Sequence, residues 1–538
     1  MFLNARYVNL FLAELPFQYQ RLRDVLVFIT QDSFMSTWDL KSGYYHVFLH
    51  PSFRKYMGFQ VGQLVFRYNV PAFGLSQACF LFTKLMNEPA KALRQRGVPI
   101  SDYIDDGITA AVTFARCLFN AISSARLLAA LGAFLGLPKC NLSPDQLRKW
   151  LGFIIDSVNQ RFQLSPSRLA KLKQQLQVIL QAQHVTAREL ASLAGRLVPT
   201  GPAVLPASLR SRPFFQALKG QLSWDAIFPN QLAVQQAAAF WLENLERFNG
   251  RGWWPPPVSI QASVDASGVG FGGVLILPGQ VRTPFRGTFS EEFAQASSTA
   301  REVAGYLGAA RTAFQTHPNA LKGASLLITG DSQSAVACIN ELRSTQPDIH
   351  GLLQQLFDLC LEADCSVQAR WVPRGQLTEA DRISREPDAG DWGLNPILVN
   401  AIKARFGVQP ILDVFASAVH HVTPNFISKF FEPGCKAVQA MRQDWRDFVP
   451  PGQVAWLFPP PALAGQVLAK LALYKIDAIL VLRDQRESNE RVMLRHRQDA
   501  AVSVPFPIPS DLGTGLVPDR FAPSRPDHSP GRIYLSCF

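Results

Sequence analysis

The spacing of apolar and polar positions changes along the chain, and two short stretches predict particular elements. Residues 34–38, FMSTW, predict a β-strand with Asp39 at its end. Residues 101–108, SDYIDDGI, set two adjacent aspartates and a glycine between β-favouring neighbours. This arrangement predicts a tight hairpin that presents Asp105 and Asp106 at its tip.

The period of the apolar positions also divides the chain into parts. Helical spacing is typical of residues 161–250, and the Thr-x-x-Glu pattern of Thr186 and Glu189 predicts a helix start there. Strand and helix patterns alternate in the two parts that follow. Two segments rich in Pro, Gly or Asp, 251–259 and 386–396, are predicted linkers. A tail rich in Pro, Ser, Arg and Asp is expected to be disordered. The predicted parts are 1–160, 161–250, 256–390, 405–490 and the tail 496–538.

Composition adds expectations about partners and compartment. The chain has 538 residues, is 48% hydrophobic and carries a formal net charge of +12. Its length and hydrophobic content allow it to bury several cores. Its positive charge suits a polyanionic partner such as nucleic acid, and the alternative is that the charge serves only solubility. The eight cysteines lack Cys-x-x-Cys spacing, which indicates reduced thiols and an intracellular protein, with cytoplasm and nucleus both open. No apolar run approaches the ~18 residues that span a bilayer, so no membrane partner is expected.

Adjacent carboxylates repel each other unless a cation lies between them. Asp105 and Asp106, together with Asp39 at a strand end, would form a cage of hard oxygen donors. Such a cage suits the two Mg²⁺ ions of a phosphoryl-transfer site. Taken singly, an aspartate pair is most often an exposed turn, and a strand-end aspartate is most often a cap. The prediction therefore depends on the three residues acting together.

A second set of acids occurs in the alternating part of the chain. Asp265 lies in a predicted strand before a glycine-rich hairpin, and Glu302 lies in a helix with one buried face. Asp331 ends an apolar strand, and Asp381 lies at the start of a helix. Four carboxylates gathered without basic partners would need bound cations, here two Mg²⁺ or Mn²⁺ ions. Each acid singly is typical of a surface or cap position.

Five ordered motifs resemble the palm motifs of reverse transcriptases: WDLKSGYYH, FGLSQA, YIDD, LGLPKCNLSP and WLGFIID. They are most similar to those of DIRS-type retrotransposon enzymes. The resemblance implies that Asp39, Asp105 and Asp106 hold the metal ions. It also implies a gate against the ribose 2′-hydroxyl at Tyr44, with core packing as the alternative role. The other residues that it implies to bind the nucleotide are Phe73, Gln77 and Lys139. The alternative for Lys139 is a solvated lysine in a loop.

The second set of acids resembles the Asp-Glu-Asp-Asp site of ribonuclease H, fused after a reverse transcriptase as in retroelement polyproteins. Residues 405–490 resemble the methyltransferase-like region of DIRS-type elements. Its signature is Asn or Asp, Pro, Pro and an aromatic residue. Here Phe458 precedes Pro459 and Pro460, and Pro461 follows, so neither the amide nor the stacking ring is present and this unit is expected to be degenerate. The implied fold class is α/β and α+β multidomain. It comprises a palm with an antiparallel sheet and helices, a helical thumb or connection, a ribonuclease H-like α/β layer and the C-terminal α/β unit.

The resemblance implies an RNA-directed DNA polymerase with fused ribonuclease H, a nucleotidyltransferase and endonuclease that copies retrotransposon RNA. The expected partners are an RNA template, a DNA primer, an RNA/DNA hybrid and deoxynucleoside triphosphates, and the oligomeric state stays open. The sequence begins at a block similar to the family's Asp-x-Arg-x-x-Asn, with Asn4, Arg6 and Asn9. Most of the fingers is therefore expected to be missing. A catalytically silent nucleic-acid-binding remnant of a retrotransposon is the alternative function.

Overall fold

The computed structural model describes residues 3–13, 15–385, 392–432, 434–483, 504–506, 516–518 and 533–537. The chain forms two compact units, Met1–Trp254 and Pro255–Phe538. Their boundary falls inside the predicted linker 251–259. Three consecutive prolines in that segment disfavour both a helix and a central strand.

The first unit combines short strands with helices. Its strands are β1 (Phe34–Asp39), β2 (Gly58–Val61), β3 (Leu64–Arg67), β4 (Ile100–Tyr103), β5 (Asp106–Ala111), β6 (Asn141–Asp145), β7 (Leu147–Trp150), β8 (Phe153–Asp156), β9 (Arg161–Leu164), β10 (His184–Thr186), β11 (Ile227–Pro229) and β12 (Arg251–Gly252). Its α-helices are α1 (Arg6–Asn9), α2 (Ala78–Gln95), α3 (Phe114–Ala130), α4 (Pro166–Gln181), α5 (Ala187–Leu197), α6 (Ala207–Arg210), α7 (Arg212–Ala217) and α8 (Leu232–Phe248).

The sheet that carries the first acids has the strand order β4-β5-β1-β6. β4 and β5 form the predicted hairpin of residues 101–108, with Tyr103 opposite Asp106 in an antiparallel register. β5 also pairs antiparallel with β1, and this register sets Asp39 opposite Asp106. The predicted strand end and the predicted hairpin are both confirmed. Their pairing brings acids that are distant in sequence to one end of the sheet.

The predicted boundary at residue 160 falls in the turn of a hairpin. β8 and β9 pair antiparallel across it and belong to a sheet of order β12-β9-β8-β7. One hydrophobic cluster extends from Leu22 through Phe162 to Trp253. The predicted palm and thumb ranges therefore share a core, because the strands of this hairpin bury side chains that come from both.

The helical part of the first unit shows the predicted helix start at Thr186. Thr186 Oγ1 accepts a hydrogen bond from the Glu189 amide at 3.2 Å, and Glu189 Oε2 accepts one from the Thr186 amide at 2.8 Å. This reciprocal pair satisfies two amides that a helix start otherwise leaves without partners. α5 therefore begins where the Thr-x-x-Glu pattern predicts.

The second unit contains a longer series of strands. They are β13 (Val258–Ala266), β14 (Gly270–Ile276), β15 (Arg282–Thr288), β16 (Ser325–Gly330), β17 (Ser366–Trp371), β18 (Trp392–Leu394), β19 (Leu412–Ala416), β20 (Phe426–Ser428), β21 (Ala437–Val438), β22 (Val454–Leu457), β23 (Asp477–Arg483), β24 (Val504–Phe506), β25 (Leu516–Pro518) and β26 (Ile533–Cys537). Its α-helices are α9 (Glu291–Ala294), α10 (Ser298–Thr316), α11 (Pro318–Leu321), α12 (Gln333–Glu341), α13 (Pro347–Glu362), α14 (Thr378–Arg385), α15 (Pro396–Phe406) and α16 (Ala464–Tyr474). Among the helices in the described part of the chain, none has both the length and the apolar character needed to cross a bilayer.

The sheet that carries the second acids has the order β15-β14-β13-β16-β17. β13, β14 and β15 are antiparallel neighbours, whereas β16 runs parallel to β13 and β17 runs parallel to β16. α10 contacts β13 and β14. The face predicted for this helix is buried, as its periodicity requires: Val303, Tyr306, Leu307 and Ala310.

The C-terminal part of this unit is a sheet of order β21-β20-β19-β22-β23-β26-β24. The neighbours from β21 to β23 are parallel, and β26 is antiparallel to both β23 and β24. Within the predicted tail 496–538, the described stretches are the strands β24, β25 and β26. The expectation of disorder fails at these strands because their backbones pair with other strands. The rest of the tail and most of the linker 386–396 lie outside the described residues.

Gly107 provides a test of the packing at the hairpin. A Cβ at this position would lie 2.2 Å from Trp38 Cε2, and Trp38 is only 3% exposed. We expect Gly107→Ala to lower the free energy of unfolding of the first unit by about 1–3 kcal/mol, because the indole would have to move in a close-packed core. Urea unfolding followed by tryptophan fluorescence measures the change.

Gly195→Ala is the matched control for this prediction. Gly195 lies inside α5, and nothing lies within 4 Å of a Cβ built on it. Helix propensity predicts about 0.5–1 kcal/mol of stabilisation for this substitution. Similar effects of the two substitutions would contradict the close contact at Gly107.

Candidate active sites

The first candidate site is built on the tip of the β4–β5 hairpin. Ile104 and Asp105 form the two-residue turn between the strands, and Ile104 has φ 54°. A positive φ is rare for a β-branched residue and costs roughly 1–3 kcal/mol. The turn is also tied to β1, because the Leu40 amide donates to the Asp105 carbonyl at 2.9 Å. This strained turn sets Asp105 and Asp106 beside Asp39.

Lys139 contacts the acid cluster directly. Asp39 is 7% exposed, and its Oδ2 accepts a hydrogen bond from Lys139 Nζ at 3.2 Å. The segment before the lysine is fixed to β1, because the Gly136 amide donates to the Asp39 carbonyl at 2.7 Å. The Lys139 side chain is 73% exposed, so this ion pair adds little stability. It places a cation at the edge of the cluster, where the sequence predicts a contact with a triphosphate.

The charge of Asp39 contributes to raised pKa values of both hairpin acids. The pKa of Asp106 is raised to about 6, mainly by burial and then by the charges of Asp105 and Asp39 and a hydrogen bond with Asp39, whereas the charge of Lys139 opposes the rise. Burial is also the main cause that raises the pKa of Asp105. Partly buried carboxylates with raised pKa values hold protons readily and release them to a bound cation. Carboxylate oxygens are hard donors that suit Mg²⁺. Among the described residues, however, the oxygens of Asp39, Asp105 and Asp106 do not all lie within the 4.8 Å of one another that the second site shows.

The other residues predicted to bind the nucleotide lie near Tyr44 and at the start of α2. The rings of Tyr44 and Phe73 meet edge to face with centroids 5.3 Å apart, and Phe73 is 44% exposed. Gln77 is the N-cap residue of α2, and its Nε2 donates to the Ala13 carbonyl at 2.8 Å. The structure therefore brings Tyr44 and Phe73 together, while the Gln77 amide contacts the N-terminal segment.

The second candidate site lies at the ends of β13 and β16. Asp265 on β13, Glu302 on α10 and Asp331 just after β16 each offer a carboxylate oxygen, and these oxygens all lie within 4.8 Å of one another. Asp265 and Glu302 are buried, and Asp331 is partly buried. The three acids line a cavity of about 650 Å³. Strand, helix and strand end thus converge here as the sequence predicts.

Glu302 is the most strongly perturbed acid of this cluster. Its pKa is raised to about 8, mainly by burial and then by the charges of Asp265 and Asp331, while Arg301 and Arg374 oppose the rise. Burial also raises the pKa of Asp265. Glu302 Oε2 is buried and accepts no hydrogen bond from the described residues. Since a buried carboxylate oxygen without a partner is costly, a divalent cation fits this set of donors.

Asp381 stands apart from the cluster. Its Oδ1 accepts a hydrogen bond from Arg374 Nη2 at 2.5 Å and lies 3.0 Å from Arg385 Nε. The expectation of four acids without basic partners is therefore wrong, because two arginines neutralise Asp381 at the rim. Its predicted role as a metal ligand stays a prediction.

Ser384 belongs to the second site although the sequence reasoning missed it. Its Oγ donates to Asp265 Oδ2 at 2.6 Å. The available signal was helical spacing, since Ser384 and Arg385 follow Asp381 by three and four positions and so share a face of α14. A Cβ on Gly272 would lie 2.6 Å from the Ser384 amide nitrogen. Gly272 therefore allows α14 to approach the sheet. No local sequence pattern predicts this close approach.

The C-terminal sheet of the second unit lines a further cavity. Its volume is about 850 Å³, and it is lined by residues at the carboxyl ends of β19, β20 and β22, the edge where open α/β sheets bind ligands. Asp413 lines it and is 3% exposed, and burial raises its pKa to about 7. Phe458 and Pro460 line the same cavity. The segment at the position of the methyltransferase signature therefore lines this cavity.

A family model matches the part of the chain that carries the first site. Residues 8–155 match the family model described as reverse transcriptase (RNA-dependent DNA polymerase). The chain therefore has a reverse transcriptase domain. The matched range of this domain contains Asp39, Asp105, Asp106 and Lys139. No curated protein matches the chain.

Solved structures that match the chain include three of a foamy viral protease-reverse transcriptase. The dRH form in complex with double-stranded DNA is 15% identical with a TM-score of 0.43, and the match covers 69% of this chain and 62% of that chain. A complex with an RNA/DNA hybrid is 16% identical with a TM-score of 0.43, over 68% and 48% of the two chains. A complex with double-stranded DNA is 14% identical with a TM-score of 0.41, over 68% and 73%. The chain thus spans 62% of the length of the first of these structures.

The raised pKa of Glu302 predicts a pH-dependent stability. The folded protein keeps this proton up to a pKa of about 8, compared with 4.5 for an unperturbed glutamate. In EDTA, the stability contributed by Glu302 should therefore fall as the pH rises from about 5 to about 8, because the unfolded chain releases the proton first. Mg²⁺ should raise the melting temperature more at the high end of this range, since the ion replaces the proton.

Melting temperatures across this pH range, with EDTA and with Mg²⁺, check the prediction. In EDTA, we expect Glu302→Gln to reduce the fall in melting temperature between about pH 5 and pH 8 by at least about 2 °C. About 1 kcal/mol corresponds to a few degrees in a domain of this size. Glu362→Gln, an exposed carboxylate of the same unit, should keep the wild-type slope. The prediction is wrong if Glu302→Gln leaves the slope unchanged.

Proposed function

We propose that the chain is an RNA-directed DNA polymerase with fused ribonuclease H, of a retrotransposon most similar to DIRS-type elements. One observation carries the polymerase. The register of β1 and β5 sets Asp39 against Asp105 and Asp106, inside the range that matches the reverse transcriptase family model. These three carboxylates would hold two Mg²⁺ ions, or Mn²⁺. Such ions, when bound, stabilise the attacking and leaving oxygens of nucleotidyl transfer.

The residues around this cluster act on the incoming deoxynucleoside triphosphate. Lys139 is exposed and lies at the edge of the acids, so its charge can contact the triphosphate. Tyr44 would lie against the sugar and leave no space for a 2′-hydroxyl. Phe73, which is exposed beside Tyr44, and Gln77 would contact the nucleotide and the template. The partners of this site are an RNA template and a DNA primer.

The ribonuclease H part of the proposal depends on Asp265, Glu302 and Asp331. Their converging oxygens and the unsatisfied Glu302 Oε2 support a divalent cation site. Asp381 would join them as a fourth ligand only after release from Arg374 and Arg385. Bound ions would activate water against an RNA phosphate of an RNA/DNA hybrid. The protein itself would distinguish RNA from DNA through its 2′-hydroxyl.

The C-terminal unit supports the DIRS-type assignment. A mostly parallel sheet with a cavity at its carboxyl edge is consistent with the predicted methyltransferase-like unit. Phe458 stands where the signature has an Asn or Asp, so no side-chain amide or carboxylate is present to bind a target amine. We therefore propose that this unit transfers no methyl group. The free cysteines of the described residues support an intracellular protein.

Primer extension on poly(rA)/oligo(dT) with Mg²⁺ tests the polymerase. We expect the full chain to extend the primer and Asp105→Asn to lower the rate by about 100-fold or more, since metal ions contribute several kcal/mol. Asp32→Asn is the matched control, because Asp32 is exposed at the opposite end of β1. Extension that survives Asp105→Asn would refute the site. Hybrid binding without extension by the wild type would favour the catalytically silent remnant.

Cleavage of the RNA strand in an RNA/DNA hybrid tests the second site separately. We expect Asp331→Asn to lower Mg²⁺-dependent cleavage by about 100-fold or more for the same physical reason. Asp348→Asn, an exposed aspartate of the same unit, should retain full cleavage. If Asp331→Asn cleaves as well as the wild type, the ribonuclease H assignment fails while the polymerase proposal stands.

A further inference from the structure

The Tyr44 side chain is held along its whole length. Its ring lies between Phe73 and Phe82, with centroids 5.3 and 5.7 Å away. Its hydroxyl contacts the thiol of Cys79, with 2.8 Å between Oη and Sγ. Burial raises the pKa of Tyr44, and the hydrogen bond with Cys79 adds to the rise. The hydroxyl is therefore protonated at neutral pH and available to donate to the sulfur.

Cys79 has a second aromatic partner. It is the second residue of α2, and a hydrogen bond with its thiol is one cause of the raised pKa of Tyr19. The Tyr19 ring packs against that of Tyr103, with centroids 5.0 Å apart. Tyr103 ends β4, the strand that leads to Asp105. The thiol therefore connects Tyr44 to the hairpin that carries the acids.

We propose that Cys79 is a positioning residue that sets the selectivity of the polymerase site for deoxynucleotides. The proposal rests on the proposed polymerase function and deepens it. The Tyr44 ring excludes a 2′-hydroxyl only while it stays in place. With its hydroxyl bound to the thiol, the ring can swing away only by breaking that contact. A hydrogen bond of ordinary net strength corresponds to about a 3- to 10-fold effect on selectivity.

The contact also makes the site sensitive to thiol reagents. Cys79 is a free, partly buried thiol. An N-ethylmaleimide adduct on Sγ would occupy the space in which the Tyr44 hydroxyl now lies at 2.8 Å. The adduct would displace the ring without removing a carboxylate. Alkylation should therefore change nucleotide selectivity in the wild type, and Cys79→Ser should resist this change.

The test compares kcat/KM for dTTP and for UTP on poly(rA)/oligo(dT). We expect Cys79→Ala to lower the dTTP/UTP ratio by about 3- to 10-fold. Cys79→Ser keeps a hydroxyl in place of the thiol and should retain a ratio closer to that of the wild type. Tyr44→Phe lacks only the hydroxyl and should match Cys79→Ala. The double variant should lose no more than either single variant, because both changes remove the same contact.

An additive loss in the double variant, or an unchanged ratio in Cys79→Ala, would overturn the proposal. A loss caused by general instability would not show this non-additivity. Cys338→Ala provides the matched control, because Cys338 is a partly buried free cysteine of the second unit. Its ratio should equal that of the wild type.

A second measurement is independent of polymerase activity. If the wild type fails to extend the primer, the proposed polymerase function fails, but the contact can still be tested. The alkylation rate of Cys79 by N-ethylmaleimide is followed by mass spectrometry of its peptide. Tyr44→Phe should change this rate by about 3-fold or more, because the sulfur loses a hydrogen-bond partner that affects how readily it forms the reactive thiolate. Equal rates in the two proteins would overturn the assigned contact.

Discussion

Repulsion between neighbouring carboxylates is the constraint on which both candidate sites depend. In the first unit, the pairing of β1 with β5 forces Asp39 against the hairpin acids, and the pKa of Asp106 is raised to about 6. In the second unit, three acids converge and the pKa of Glu302 is raised to about 8. Both clusters favour a proton or a cation over bare charge. The rest of each unit has to hold the acids together against this repulsion.

The two units meet this constraint in different ways. The first uses backbone strain, since Ile104 adopts a positive φ and the Asp105 carbonyl is bonded to β1. Lys139, which contacts Asp39, is largely exposed. The second site uses burial and close approach, since Gly272 allows α14 to lie on the sheet and Ser384 to bond Asp265.

Much of each site is predictable from the sequence where the signal is local. The strand before Asp39, the Asp105–Asp106 hairpin and the Thr186 helix start follow from short patterns of apolar, turn-forming and capping residues, and the structure confirms them. Local patterns could not show that the predicted boundary at residue 160 divides a hairpin and a shared core. The β8–β9 hairpin that crosses it has its own local pattern, but the core that it shares with both sides arises from contacts between distant segments.

The sequence by itself determined which acids are present, the elements that carry them and their order along the chain, because periodicity and turn chemistry act over a few residues. Only the tertiary structure decided which acids meet. It brought Asp265, Glu302 and Asp331 together but left Asp381 with two arginines. It also placed the Cys79 thiol on the Tyr44 hydroxyl. These outcomes depend on strand register and on helix-to-sheet distance, which are set by packing across the whole unit and leave no mark in any short stretch of sequence.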